Sequence, residues 1–378
     1  MASLFKRTGL ANELAEKVLF ASPTSASSSG LFLAAPRRTG KSTFLREDLR
    51  PQLESKGALV LYVDLWENRQ TDPGHAIVNA IRTELTKHDG VLKRLAKATG
   101  LDKVNVAGTS FSLEKLGLEK GISLTAALSA LSDEAAKTIV LIIDEAQHAI
   151  TTDGGSNALF ALKAARDELN SSRHQGLRVV ATGSNQDKLA MLRSSKDQAF
   201  FGAPIVKFPS LGKDYIAWFC LHANLGAPID AEKVYALFEQ AAFRPEILGA
   251  AADTLRFEFG IEPIDIAERF YAEVLREITS ANQEALRVIH SLTPMQSSVF
   301  QVLAKAGAAY APFESKTMES YQALMSSIAP QSEVRADVPN VQQALLALQE
   351  KGLVWKAARG VYALEDTSMA DLLSGTSN

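Results

Sequence analysis

A three-layer α/β fold, a parallel sheet with helices on both faces, is what the sequence predicts, followed by a helical region and a last unit of three helices and two short strands. Three observations predict it. Short apolar runs at 31–34, 58–64, 138–144, 177–182 and 205–208 alternate with helix-compatible stretches, the rhythm of parallel strands joined by right-handed crossovers. The run at 138–144 is apolar without alternation, as a strand covered on both faces requires. From Gly212 onward strand patterns give way to helical periodicity.

Taken in order, residues 5–20 are amphipathic and read as a helix, and the serine-rich segment 22–30 delivers the chain to the first strand. Between that strand and the next helix stands Ala35-Pro36-Arg37-Arg38-Thr39-Gly40-Lys41-Ser42-Thr43. Gly-Lys-Ser at a strand-to-helix junction suits a phosphate: backbone N–H groups turn inward around the anion, and the helix N-terminus faces it. Lys41 is expected to reach the terminal phosphates and Ser42 to hold Mg²⁺. All nine residues form the expected nucleotide-binding segment. Ala35 stands where the pattern G-x-x-x-x-G-K-[ST] has glycine, and it is expected to cost conformational freedom, because glycine alone visits positive φ cheaply.

Residues 58–64 form the second strand, 75–99 a helix, 104–118 a small hairpin insertion around Gly108 and Gly117, and 124–131 another helix. The strand at 138–144 ends in two acids. Asp144 is placed to hold Mg²⁺, directly or through water, beside Ser42, and Glu145 to orient and deprotonate an attacking water. The alternative, a strand ending in solvated acids, loses force once a phosphate loop precedes it. A helix at 156–170 and the strand at 177–182 lead to Gly183-Ser184-Asn185. Here a polar group can stand between the acidic pair and the γ-phosphate. Thr182, Ser184 and Asn185 qualify; Ser184 and Asn185 are the candidates, although Ser-Asn is also ordinary turn chemistry. Ligands of such sheets lie at the carboxyl ends of the strands, where Asp64, Asp144 and Ser184 fall.

Helices are expected at 213–223, 231–242, 245–259 and 264–289, with Pro245 in a first turn. The last unit opens near Thr293-Pro294, with helices at 295–306, 316–328 and 338–351, Gly352 as a helix stop and strands at 353–356 and 361–364. Three helices followed by a two-stranded wing describe a winged helix.

With 378 residues and 46% hydrophobic content the chain has material for two or three cores. A net charge of −3 excludes a polyanion binder acting through overall charge. The first sixty residues are a local exception, with nine Lys/Arg against five Asp/Glu. The single cysteine, Cys220, excludes an intrachain disulfide or a Cys-clustered zinc site, suits a reducing cytosol, and is expected in a core. No apolar run approaches the about 20 residues that cross a bilayer, and the N-terminus lacks a signal-peptide core. A cytoplasmic protein without a membrane partner is expected.

The sequence resembles the AAA+/STAND-type P-loop ATPases, most closely the archaeal-type ATPases. The resemblance rests on A-P-R-R-T-G-K-S-T, L-Y-V-D-L, F-S-L-E-K-L-G-L, L-I-I-D-E-A-Q, V-V-A-T-G-S-N and L-R-S-S-K-D-Q-A-F-F-G-A, with weaker likeness in V-Q-Q-A-L-L-A-L-Q-E-K-G-L-V and G-V-Y-A-L-E-D. It implies a P-loop NTPase core over 1–210, a helical lid over 211–289 and a winged-helix domain over 290–378. It also implies ATP and Mg²⁺, with hydrolysis driving lid and winged helix to act on a protein partner or a second copy. The alternative is a nucleotide-gated DNA-binding or signalling switch with incidental turnover.

Phe201-Gly202-Ala203 stands where related chains carry arginine after a Tyr-Gly pair, so no arginine finger is assigned. Arg193 and Lys196 are candidates to act in a neighbouring subunit; solvated surface charge is the alternative. Because a finger contributes about 10³ to 10⁵ in rate, slow or partner-activated hydrolysis is implied. In the lid, Phe243-Arg244-Pro245 resembles the segment that brings a basic residue over the nucleotide, making Arg244 the candidate second sensor; a surface arginine at a helix start is the alternative. DNA contact through the last unit would use Asn340, Gln342, Gln343, Lys351, Lys356 and Arg359. Residues 291–378 hold six Lys/Arg against eight Asp/Glu, so counterion release contributes little.

Overall fold

The computed structural model describes residues 4–20, 24–68, 70–88, 90, 123–171, 173–184, 186–193, 198–258, 263–332, 334–358 and 360–366. They form two compact units, one of residues 6–34 and 42–207, the other of residues 1–5, 35–41 and 208–378. The expected hairpin at 104–118 lies outside the described residues, as do Asn185, Lys196 and Arg359.

In the first unit, β1 (Leu31–Ala34), β2 (Leu59–Asp64), β3 (Ile139–Asp144), β4 (Leu177–Gly183) and β5 (Ile205–Lys207) form a parallel sheet in the order β2-β3-β4-β1-β5. Asp64 is opposite Asp144, and Ala34 is opposite Gly183. All six residues of β3 are buried. Ile139, Leu141 and Ile143 join Ile77, Ile81, Leu128 and Leu162 in one core, while Val140 and Ile142, also 0% exposed, face the opposite side because strand side chains alternate. Burial on both faces is why this run carries no polar alternation.

Helix α1 spans Thr8–Leu19, and the helix after the loop runs as α2 (Lys41–Phe44), a π-helical turn (Leu45–Leu49) and α3 (Arg50–Ser55). Pro51 accounts for the π turn. It has no N–H for the carbonyl of Glu47, four residues back, and its ring crowds that oxygen. The Arg50 N–H bonds instead to Leu45 O, and Lys6 Nζ donates to the freed Glu47 carbonyl at 2.8 Å.

Helix α4 (Pro73–Leu85) is capped by Asp72, whose carboxylate accepts from Gly74 N and His75 N. It ends at Leu85, and residues 91–99 of the expected helix lie outside the described residues. Helix α5 (Leu124–Ala135) starts on a Ser123 cap and ends at Ala136, an exposed residue at φ 49°, ψ 39°. Because glycine takes this left-handed conformation without Cβ strain, Ala136→Gly is expected to stabilise the chain by about 1 kcal/mol. A urea midpoint that rises at unchanged slope would show it; an unmoved or lower midpoint contradicts it. Helices α6 (Asp153–Ser171) and α7 (Gln186–Ala190) complete this unit.

In the second unit, α8 (Lys213–His222), α9 (Ala231–Gln240), α10 (Pro245–Phe257) and α11 (Ile266–His290) surround Ile216, Val234, Phe238, Leu248, Phe270 and Val274. Phe5 lies 5.4 Å from the Tyr215 ring and 5.8 Å from that of Trp218. Cys220 is half-buried and packs against this core from its edge rather than inside it. Then α12 (Pro294–Ala306), α13 (Ser315–Ile328) and α14 (Val338–Glu350) pack Val299, Phe300, Leu303, Tyr321, Val341 and Leu345 against the antiparallel pair β6 (Val354–Ala358) and β7 (Val361–Leu364). Helix α12 opens on a capping box, Thr293 with Gln296, and has Pro294 in its first turn, where the missing N–H does no harm.

Candidate nucleotide site

In the first unit the carboxylate of Asp144, 0% exposed, lies at the end of β3. Among the donors to it are the Thr182 hydroxyl, the Tyr62 hydroxyl at 3.0 Å and the Glu145 backbone N–H at 3.1 Å. Burying a carboxylate demands such compensation. Burial, with Asp144 adjoining, raises the pKa of Tyr62, which keeps the phenol protonated and therefore a donor. Burial likewise raises the Asp64 carboxyl, with Asp144 adding to the effect, while Trp66 N at 2.9 Å and Arg46 at 3.1 Å work against it. Arg46 also lies 4.8 Å over the Tyr62 ring.

Glu145 is half-buried and takes φ 53°, ψ 42°, a left-handed backbone that costs a non-glycine residue of order 1–3 kcal/mol and is concentrated at functional sites. One carboxylate oxygen, Oε2, accepts from Gln147 Nε2 at 2.6 Å. On β4, the residue that touches the acidic pair is Thr182. Ser184 is 8% exposed and has a buried Oγ without a hydrogen-bond partner. Arg193 is partly exposed, its Nε is buried without a hydrogen-bond partner, and its carbonyl accepts from Gly202 N at 3.4 Å.

In the second unit, the loop residues with positive φ are Arg38 at 63° and Gly40 at 80°. Ala35 is not among them, so the expected cost of alanine there does not arise. Gly40 has only Leu211 near the position of an added Cβ, at 4.0 Å. Ala35, Thr39 and Lys41 are 3%, 4% and 5% exposed, and Thr39 Oγ1 donates to Pro36 O at 2.8 Å. Lys41 opens α2, followed by Ser42 and Thr43. Arg37 is ion-paired with Glu365, just after β7, and an Arg38 guanidinium nitrogen is 4.0 Å from Glu246 in the first turn of α10. Arg244 occupies the N-cap of α10, after two left-handed residues, Ala242 and Phe243, and its Nε donates to Ala241 O at 3.0 Å.

The residues suit a magnesium-bound triphosphate. Among the described residues no three His, Cys, Asp or Glu side chains gather as a metal cage. Mg²⁺ is typically bound by one or two carboxylates together with substrate phosphates, which matches the donor chemistry of Ser42 and Asp144. In the loop, Arg38 and Gly40 have the positive φ that anion-binding turns use; in the first unit, Ser184 Oγ is buried without a hydrogen-bond partner. Tyr62 and Gln147 lie in stretches that carry the resemblance, but only the side-chain bonds show what they hold.

Two candidates for DNA contact are engaged within the last unit. Asn340 Nδ2 donates to Arg335 O at 3.1 Å, and Lys351 Nζ donates to Ser291 Oγ at 3.1 Å. Gln342 and Gln343 are exposed, and Lys356 lies 5.9 Å over the Tyr362 ring. No helix among the described residues is long and apolar enough to cross a membrane.

A parallel sheet, a glycine-lysine-serine loop after its first strand and a buried acid at the end of its third define a P-loop nucleotide-binding protein. Residues 26–189 match the family model described as an AAA domain. The chain is similar in fold to a Walker-type ATPase of Pyrococcus abyssi, with 16% identity, 98% of this chain and 99% of that one covered, and a TM-score of 0.54. It is also similar to the ORC2 protein of Aeropyrum pernix in its ADP form, with 15% identity, 100% and 94% covered, and a TM-score of 0.53. None of the curated proteins compared with it matches the chain.

Proposed function

We propose that this chain binds and hydrolyses ATP with Mg²⁺, and that the nucleotide state moves a helical lid (211–289) and a winged-helix domain (290–378) to act on a protein partner or a second copy. Loop residues 35–43 cradle the phosphates, with Lys41 on the terminal ones. Ser42 and Asp144 hold the metal, which supplies charge neutralisation to the phosphate oxygens. Glu145 takes the proton of the attacking water, Ser184 and Asn185 sense the γ-phosphate, and Arg244 senses it from the lid.

The observation that carries the coupling is the pairing of Arg37 with Glu365 and of Arg38 with Glu246. Two guanidiniums of the phosphate loop are engaged by acids of the tail hairpin and of α10. Burial raises the Glu246 carboxyl, while Arg244 and Arg38 work against it. Partly exposed ion pairs contribute about 0–1 kcal/mol each, and guanidinium prefers the bidentate, more highly charged phosphate. A triphosphate in the loop therefore competes successfully for both arginines, releasing tail and α10 together.

Hydrogen exchange tests this. Residues 361–366 are expected to exchange faster with ATP than without, and Glu365→Gln is expected to exchange fast in both conditions and to bind ATP about 2- to 5-fold more tightly, the equivalent of a 0.5–1 kcal/mol pair. Exchange indifferent to ATP would refute the coupling. The acidic balance of the last unit and the internal engagement of Asn340 and Lys351 argue for a protein partner over DNA.

A further inference from the structure

We propose that Gln147 is a positioning residue for Glu145, fixing the carboxylate through its side-chain amide and tying it to the Gly183–Ser184 turn; this rests on the reading of Glu145 as the base. Gln147 is 0% exposed, a costly location for an amide that only packs. It lies two residues beyond Glu145 in the short 3₁₀ segment Ala146–Thr151, which opens on the left-handed Glu145. That strained turn brings the amide back onto the carboxylate, with Nε2 2.6 Å from Oε2.

A carboxylate offers only acceptors, so the amide must present its NH₂ group to Glu145, and its carbonyl is directed elsewhere. Oε1 is buried and without a hydrogen-bond partner. It sits 2.5 Å from where a Cβ on residue 183 would be, so glycine at the end of β4 makes room for this amide. The next residue, Ser184, holds the other buried unpartnered oxygen of this stretch. An unsatisfied buried acceptor costs about 1–3 kcal/mol, and such a cost at a site points to a group retained for function. Oε2 of Glu145 is thus engaged by the amide. The amide thereby converts a carboxylate with a free χ3 rotation into a directed base, the kind of orientation whose loss costs about 10²-fold for a 1 Å displacement.

Gln147→Met is the discriminating variant, because it keeps length and burial and removes only the amide. The proposal expects kcat to fall about 10- to 100-fold while the ATP dissociation constant moves less than about 2-fold and the melting temperature holds or rises, since an unsatisfied polar group has been replaced by an apolar one. A packing role predicts the reverse, unchanged kcat in a well-folded variant, and that outcome overturns the proposal. A second readout needs no nucleotide. In ¹⁵N-glutamine-labelled protein, the Gln147 side-chain amide is expected to be shifted and slow to exchange, and Glu145→Ala is expected to abolish both features; an amide indifferent to Glu145→Ala also overturns it. Glu145→Gln run in parallel separates the two layers. Should it retain wild-type turnover, the base assignment falls and the proposal with it; should it be inactive while Gln147→Met is fully active, the proposal alone falls.

Discussion

Replacing Lys41 by alanine is expected to abolish ATP binding at micromolar nucleotide. Lys41 is the first residue of α2 and 5% exposed, so its ammonium sits where the loop ends and the helix begins, the position that meets the terminal phosphates of a bound triphosphate. Two or more charge-assisted hydrogen bonds are lost, each worth about 1.5–3 kcal/mol. Affinity is therefore expected to fall at least about 100-fold. Titration with a fluorescent nucleotide measures it directly. Thermal unfolding supplies a second measure, because a ligand at 100 times its dissociation constant stabilises its protein by about 2.7 kcal/mol, and the variant should show no ATP-dependent shift. Retained affinity would refute the loop as the phosphate site.

Glu145→Gln is expected to leave ATP binding intact and to slow hydrolysis about 10²- to 10⁴-fold, the range that a positioned general base contributes. Its shape and its bond to the 3₁₀ turn tolerate the change, since an amide oxygen still accepts from Gln147 Nε2. Only the capacity to take a proton is lost. Single-turnover phosphate release, with nucleotide retention followed by gel filtration, would show ATP held unhydrolysed. Wild-type turnover in this variant would reject the assignment. Because Phe201-Gly202-Ala203 supplies no arginine finger, the starting rate is itself expected to be low, and the assay must resolve it.

Much of the fold was legible because its signals are local. Pro245 in a first turn, Thr293-Pro294 at the start of the last unit and the apolar run at 138–144 each act over a few residues, and each marks the element that forms there. Periodicity does not report that Pro51 converts a straight helix into one with a π turn. Ala35 was misjudged for a related reason: departure from a motif says that glycine is absent, but not which residue of the loop takes the left-handed backbone. That burden falls on Arg38 and Gly40.

The candidate site divides the same way. By itself the sequence singled out the candidate residues Lys41, Ser42, Asp144 and Glu145, because strand ends and a phosphate loop are written in contiguous residues. Tertiary structure alone decided who holds them. Thr182 and Tyr62 meet Asp144 only because β3 lies between β2 and β4, and Arg37 finds Glu365 across 328 residues of chain. Contacts of that separation depend on strand order and packing, which emerge when apolar faces are buried together, and no short-range pattern records them.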